Sequence, residues 1–152
     1  MSFESGLAGK VAIVTGGSRG IGRAIVEVLA AQGVDVNFFY RGNDAAALEV
    51  VASVAAAGGK ATALQVDVSD SAACIEAVNA VAERCERIDI LVNNAGITHL
   101  PTLMEDVSEE EFDRVLNVNA KSVYLTARHL VPHMKSNGAG AIVNVASTGC
   151  VA

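Results

Sequence analysis

Short apolar runs alternate with longer amphipathic stretches along the whole chain. Runs with the length of buried strands cover residues 11–15, 34–40, 61–66, 88–92 and 141–145. Between them, apolar residues at helical spacing predict helices over 20–32, 44–57, 70–84 and 108–135. This alternation predicts right-handed βαβ crossovers, and therefore an α/β fold with a parallel sheet and helices on both faces.

The first strand runs into a glycine-rich turn that opens directly onto a helix. The turn contains Gly16, Gly20 and Gly22, and Gly33 is placed to end the helix in a left-handed conformation. A tight turn followed by a helix N-terminus directs backbone N–H groups and the helix dipole at an anion. Glycine triplets also occur in plain structural turns, but the flanking strand and helix favour a nucleotide site.

A phosphate-binding turn after the first strand predicts a doubly wound, Rossmann-type sheet with strand order 3-2-1-4-5. The ligand is then expected at the carboxyl ends of strands 1 and 4. We expect the run 141–145 to lie at an edge of the sheet, although its apolar composition suits a strand flanked on both sides.

The fourth predicted helix carries one unusual residue on its apolar stripe. Ser108 and Glu111 predict a capping box at its start, and Pro132 is expected to end or kink it. Asn119 places an amide on the stripe, where the spacing alone favours a structural amide bonded to neighbouring backbone. The predicted inner stripe consists of Phe112, Leu116, Asn119, Val123, Ala127, Leu130 and Met134.

Composition restricts the class of protein. The 152 residues, 51% apolar and 18% charged, suit one domain whose strands are covered on both faces. No apolar run reaches the roughly 18 residues of a membrane span, and the first residues lack the features of a signal peptide. We therefore expect a cytoplasmic protein without a membrane partner.

Charge and cysteine content disfavour two other kinds of site. The net charge is −6 and the basic residues are scattered, so no nucleic-acid partner is indicated. The three cysteines lack metal-ligand spacing, and no metal site is expected. Cys74 and Cys85 fit an apolar helical stripe, which disfavours a reactive thiol, and the absence of a paired cysteine pattern fits a reducing compartment.

Five segments, in order along the chain, resemble the motifs of the short-chain dehydrogenase/reductase family. They are Thr15-Gly-x-x-x-Gly20-Ile21-Gly22, Asp67-Val68, Asn93-Asn94-Ala95-Gly96, Asn119 within the sequence Asn-Val-Asn-Ala, and Ser147 at the end of Val-Asn-Val-Ala-Ser. The resemblance leans toward bacterial 3-oxoacyl-thioester reductases and sugar dehydrogenases. It also favours a functional role for Asn119 over a structural one.

The resemblance implies a role for each matched residue. The cofactor pyrophosphate would lie against Gly16, Ser18, Gly20, Ile21 and Gly22, and Asp67, followed by Val68, would bind the adenine amino group. The segment Asn93 to Gly96, with Ala95 and Gly96 at its end, would stabilise the sheet and line the nicotinamide side. Asn119 and Ser147 would be the catalytic residues, Asn119 in a proton relay through water and Ser147 on the substrate carbonyl oxygen.

The family's general acid has no counterpart in this chain. That acid is a tyrosine in a Tyr-x-x-x-Lys motif downstream of the serine, but neither Tyr40 nor Tyr124 is followed by Lys four residues later. We therefore interpret residues 1–152 as a dinucleotide-binding domain that is incomplete at its carboxyl end and lacks the final strands and helices. Such a chain alone should be inactive.

Two arginines favour NADP over NAD as the cofactor. An acidic residue at the end of the second strand would bind the ribose hydroxyls of NAD, but Tyr40 and then Arg41 stand there. Arg19 precedes Gly20 in the turn, so both guanidinium groups could bind a 2′-phosphate. The alternative is that both are solvated surface residues.

The sequence thus favours an oxidoreductase that uses NADP(H) to interconvert a carbonyl and a secondary alcohol of a small molecule. We expect the full-length protein to be a homo-oligomer. The alternative is a non-catalytic NADP-binding sensor or scaffold, against which Asn119 and Ser147 argue.

Overall fold

Five parallel strands form one sheet in the order β3-β2-β1-β4-β5 in the computed structural model, which describes residues 6–147. The strands are β1 Val11–Thr15, β2 Asp35–Tyr40, β3 Lys60–Gln65, β4 Ile90–Asn93 and β5 Ala141–Asn144. The helices are α1 Gly20–Ala31, α2 Asp44–Ala56, α3 Ser71–Cys85, α4 Glu109–Leu116 and α5 Ser122–Ser136. The predicted fold class and strand order are confirmed.

Apolar side chains on both faces of the sheet form the core. On one face of the sheet, α1 and α2 cover Val14, Val36 and Phe38. On the opposite face, α3 and α5 cover Ile13 and Phe39. Every residue of β1 is buried, as the continuous apolar run at positions 11–15 predicts for a central parallel strand. Gly33 ends the turn after α1 with φ +80°, which confirms its left-handed conformation.

Strand β5 lies at the edge of the sheet, as predicted. It pairs in parallel with β4 alone among the described residues, and all four of its residues are exposed. Val143 is 50% exposed although its type suits a buried strand. Within the described residues, the apolar side chains of β5 are therefore not covered by other parts of the chain.

The predicted fourth helix is interrupted, which corrects the expected buried stripe. Residues Asn117–Lys121 form a π-helical turn between α4 and α5. A wide turn shifts the register of the side chains that follow, so Ser122, Leu125 and Thr126 are buried while Val123 and Ala127 are only partly buried. Leu130 and Met134 are buried as predicted, and Val118 is buried within the turn itself. Phe112 and Leu116 are instead 56% and 45% exposed, and Asn119 is exposed as well.

Pro132 and the capping box depart in part from what the sequence predicts. Pro132 lies within α5 and does not end it, because Pro132 and Arg128 are on the exposed side, where water can bond the carbonyl that proline leaves unpaired. The capping box is half formed. Ser108 Oγ accepts the N–H of Glu111 at 3.2 Å, but the Glu111 carboxylate accepts from Arg114 at 2.6 and 2.7 Å.

No helix within residues 6–147 combines the length and the apolar character that crossing a membrane requires.

Candidate functional site

An open cleft of about 570 Å³ lies at the carboxyl edge of the sheet. It forms where the crossovers from β1 and β4 leave in opposite directions, which is where open α/β sheets bind ligands. Eleven of the twelve residues that the sequence predicted for cofactor binding line it: Gly16, Ser18, Arg19, Gly20, Ile21, Gly22, Arg41, Asp67, Val68, Ala95 and Gly96.

The glycine-rich turn brings α1 close to the end of β1. Gly16 has φ +69°, a conformation that side chains other than glycine rarely adopt. A Cβ at Gly22 would lie 2.0 Å from the carbonyl oxygen of Gly16 and 2.5 Å from Nδ2 of Asn94. The turn can therefore pack against α1 only when position 22 has no side chain.

The N-terminus of α1 faces the cleft without a side-chain cap. Arg19 is the N-cap residue in an extended conformation, its side chain caps no N–H group, and the first turn contains no acidic residue. Ser18, Gly20 and Ile21 line the cleft around it. Uncapped N–H groups at the positive end of the helix dipole suit a phosphate group.

A set of hydrogen bonds holds the turns after β1 and β4 together. The buried Thr15 Oγ1 accepts the N–H groups of Asn94 and Ala95, both at 3.0 Å. Asn94 Nδ2 donates in return to the carbonyl oxygens of Thr15 and Gly16, at 3.0 and 3.2 Å. Thr15 was not among the predicted site residues, although it belongs to the matched glycine motif and could have been found there; Asn94 was expected only as part of the segment Asn93 to Gly96.

An ion pair between Arg41 and Asp67 lies in the part of the cleft beside the carboxyl ends of β2 and β3. Asp67 Oδ1 accepts from the N–H and the hydroxyl of Ser69, at 3.0 and 2.6 Å, and Asp67 Oδ2 lies 3.3 Å from Nε of Arg41. The Ser69 hydroxyl, chiefly, and the Arg41 charge lower the pKa of Asp67, against the effect of burial. Asp67 is thus ionised at neutral pH and already has partners.

Tyr40 also lines this part of the cleft. Partial removal from water, followed by a hydrogen bond to Asp44, raises the pKa of its hydroxyl, so Tyr40 is neutral at neutral pH. The position that would hold the acidic residue of an NAD site therefore carries no negative charge.

Asn93 is the one predicted cofactor residue that does not line the cleft. It is buried in β4, where Nδ2 donates to Asn144 Oδ1 at 2.9 Å and Oδ1 accepts from Thr126 Oγ1 at 2.7 Å. These bonds join β4 to β5 and α5. Its side chain therefore links elements of the sheet, which fits the sheet-stabilising role expected for this segment, and its predicted place beside the nicotinamide stays a prediction.

Asn119 lies in the π-helical turn and bonds the backbone that follows β4. Its Oδ1 accepts the N–H of Ile97 and its Nδ2 donates to the carbonyl of Ile97, both at 2.8 Å. The side chain therefore fixes the wide turn beside the cleft, because Ile97 and Val118 both line it. The expected relay through water stays a prediction.

Ser147 lies three residues beyond β5 and is exposed. The N–H of Val145 bonds the carbonyl of Asn93 at 2.9 Å, so pairing between the strands continues toward the serine. Neither Ser147 nor Asn119 lines the cleft itself. Cys150 lies outside the described residues.

The described cysteines, Cys74 and Cys85, are free, and Cys74 is unsuited to nucleophilic chemistry. Cys74 is fully buried, and burial raises the pKa of its thiol to about 11, so the thiolate is absent at neutral pH. Within residues 6–147, no group of three or more His, Cys, Asp or Glu side chains could hold a metal ion.

Comparison with known proteins shows the family to which the chain is similar. The family described as "short chain dehydrogenase" matches residues 10–152. A 3-oxoacyl-[acyl-carrier-protein] reductase of Chlamydia pneumoniae is 40% identical over 141 residues, which cover 93% of this chain and 56% of that protein. The chain spans about half the length of the curated relatives it matches.

Solved structures agree in fold and differ in cofactor. A metagenomic short-chain oxidoreductase in complex with NADP has a TM-score of 0.91 at 35% identity, covering 97% of this chain and 66% of that one. An NADH-dependent reductase responsible for alginate metabolism has a TM-score of 0.88 at 30% identity, covering 97% and 62%. By its motifs, fold and relatives, the chain belongs to the short-chain dehydrogenase/reductase family.

Proposed function

We propose that this chain forms the cofactor-binding part of an oxidoreductase that uses NADP(H) to interconvert a carbonyl and a secondary alcohol. The observation that carries the proposal is the cleft, in which an uncapped helix N-terminus, a glycine turn and two arginines line one surface. The bound nicotinamide would supply or accept the hydride. The residues of the cleft would hold the cofactor and fix which face of it the substrate meets.

The arginines support NADP as the cofactor. Arg19 and Arg41 both line the cleft, and Arg recognises phosphate through charge-assisted, forked hydrogen bonds. The neutral Tyr40 and the cationic Arg41 stand where an acidic residue would bind the hydroxyls of NAD. The NADP complex among the solved structures is consistent with this choice, and NAD is the alternative that the NADH-dependent reductase represents.

Proton transfer would require groups beyond those in the cleft. We infer that Ser147 hydrogen-bonds the substrate oxygen and that Asn119 fixes the turn through which a proton relay passes. General acid catalysis contributes about 10²–10⁴-fold, and no Tyr-x-x-x-Lys occurs in the 152 residues. Turnover would therefore need an acid from outside these residues, and residues 1–152 alone would be inactive.

Exposed apolar groups support the proposal of a homo-oligomer. Phe112, Leu116 and Tyr124 expose half of their surface or nearly so, an arrangement typical of surfaces that other protein covers. We infer a cytoplasmic location, with which the free, buried thiol of Cys74 is consistent because it fits a reducing compartment.

An activity assay tests the proposed reaction. NADPH oxidation is followed at 340 nm with a panel of ketones and 3-oxoacyl thioesters, using the 152-residue chain and any longer product of the same reading frame. We expect turnover only from a product that contains Tyr-x-x-x-Lys. Reduction by the sequence-verified 152-residue chain would overturn the need for an outside acid. A longer product that binds NADPH and lacks the motif would support the sensor or scaffold.

A further inference from the structure

The ion pair between Arg41 and Asp67 joins one rigid partner to one mobile partner. Asp67 Oδ1 is held by both donors of Ser69, at 3.0 and 2.6 Å, so the position of the carboxylate is fixed. The Arg41 side chain is 70% exposed, and Gln65 holds only its backbone carbonyl, at 3.1 Å. The guanidinium can therefore leave Asp67 at the cost of one exposed ion pair, while the bonds to Ser69 restrain the carboxylate.

The fixed carboxylate acts differently on the two nicotinamide cofactors. A 2′-phosphate bound by Arg41 would compete with Asp67 for the guanidinium, so part of the free energy of phosphate binding would offset the loss of the Arg41–Asp67 ion pair. A 2′-hydroxyl carries no charge and leaves that ion pair intact. Ionised Asp67 therefore weakens the binding of NADP(H) relative to NAD(H).

We propose that Asp67 is a specificity-determining residue that acts through Arg41 and limits how strongly the cleft prefers a 2′-phosphate. The inference rests on the proposed function, since it assumes that nicotinamide dinucleotides occupy the cleft with the phosphate at Arg41. Any contact of Asp67 with adenine is common to both cofactors. Such a contact therefore affects the affinity for each cofactor but leaves the ratio of the NADPH and NADH affinities unchanged.

The Asp67→Asn variant tests the inference through binding alone. Fluorescence titration of the purified full chain with NADPH and with NADH gives the ratio of the two dissociation constants. An exposed ion pair alters a binding equilibrium by about twofold to fivefold, so Asp67→Asn should shift the ratio toward NADPH by about that factor. Asp67→Thr, which also lacks the charge and keeps an oxygen acceptor for Ser69, should give the same direction if the first variant folds poorly.

A matched control removes the same charge nearby. Asp70 caps α3 by accepting the N–H groups of Ala72 and Ala73 and does not line the cleft. Asn is an equally good N-cap residue, so Asp70→Asn lowers the net negative charge while the cap is kept. This control should leave the affinity ratio unchanged, and an equal shift in both variants would refute a specific role for Asp67.

Arg41→Ala separates the inference from the proposed function. We expect Asp67→Asn to change the ratio in the parent and to change it much less when Arg41 is absent. If Arg41→Ala loses the preference for NADPH but Asp67→Asn has no effect on the ratio, the inference about Asp67 is overturned while the assignment of Arg41 to the 2′-phosphate stands. An Arg41→Ala variant with the parent's ratio would overturn the phosphate site, and the inference with it. An undiminished effect of Asp67→Asn in the Arg41→Ala background would show that the pair is not the cause.

Discussion

Replacing Gly22 by Ala should lower the free energy of unfolding and distort the cleft that would hold the cofactor. The added Cβ would lie 2.0 Å from the Gly16 carbonyl oxygen and 2.5 Å from Asn94 Nδ2, whereas ordinary contact begins at about 3.4 Å. The nearest atom is backbone, and the Asn94 amide is held by two carbonyl groups. Neither neighbour can move without breaking the link between the turns after β1 and β4.

The expected cost follows from this overpacking. Extra atoms in a well-packed region cost about 1–3 kcal/mol, and a contact with fixed backbone should reach the upper end of that range. The gain in helix propensity from Gly to Ala is at most about 1 kcal/mol and does not offset it. For a chain of this size, the net loss of about 2 kcal/mol corresponds to a fall in Tm of roughly 4–8 °C.

Thermal unfolding and NADPH titration of the same preparations measure both effects. Gly42→Ala is the matched control, because Gly42 also lines the cleft and an added Cβ there meets nothing within 4 Å. Gly22→Ala should unfold at lower temperature and lose most of its NADPH affinity, while Gly42→Ala should change neither by much. A Gly22→Ala protein with the parent's Tm and affinity would refute the packing described for the turn.

Two more predictions concern single polar side chains. Burial opposes ionisation of Asp89, but hydrogen bonds from Arg87 and the Val11 N–H and the charge of Lys10 outweigh burial and lower the pKa of Asp89. The stabilisation that ionised Asp89 gives the fold should therefore be lost as pH falls below about 4. Acid unfolding followed by circular dichroism should show a shallower pH dependence for Asp89→Asn, and parallel curves would contradict this. In a longer product that contains Tyr-x-x-x-Lys and shows turnover, Asn119→Ala should lower kcat with NADPH affinity nearly unchanged. A lower Tm with full activity per folded molecule would instead indicate that the two bonds to Ile97 are its whole role.

Local patterns in the sequence were sufficient for the fold and most of the cleft. Strand β1 was predicted with its observed bounds because a continuous apolar run followed by Gly16 has few alternative structures. The strand order followed from the position of the glycine turn after β1. Eleven predicted cofactor residues line one cleft because each follows a strand end or starts a helix, and those ends meet at one edge of the sheet.

Features that depend on a change of register or on distant partners were not predictable. The π-helical turn at Asn117–Lys121 preserves the apolar composition of the helix and alters only which side chains face inward. Asn93 ends a strand buried on both faces, so alternation could not tell which way its amide points. The Arg41–Asp67 pair joins residues from different crossovers, and only the assembled sheet brings them together.

The account depends most directly on whether the cleft prefers a 2′-phosphorylated nicotinamide cofactor. Parallel titrations of NADPH and NADH into the parent protein and into Arg41→Ala measure this preference. Loss of a charged hydrogen-bond partner changes binding by about 1.5–3 kcal/mol, so Arg41→Ala should weaken NADPH binding roughly tenfold or more and leave NADH binding nearly unchanged. Equal affinities of the parent protein for the two cofactors would contradict the account.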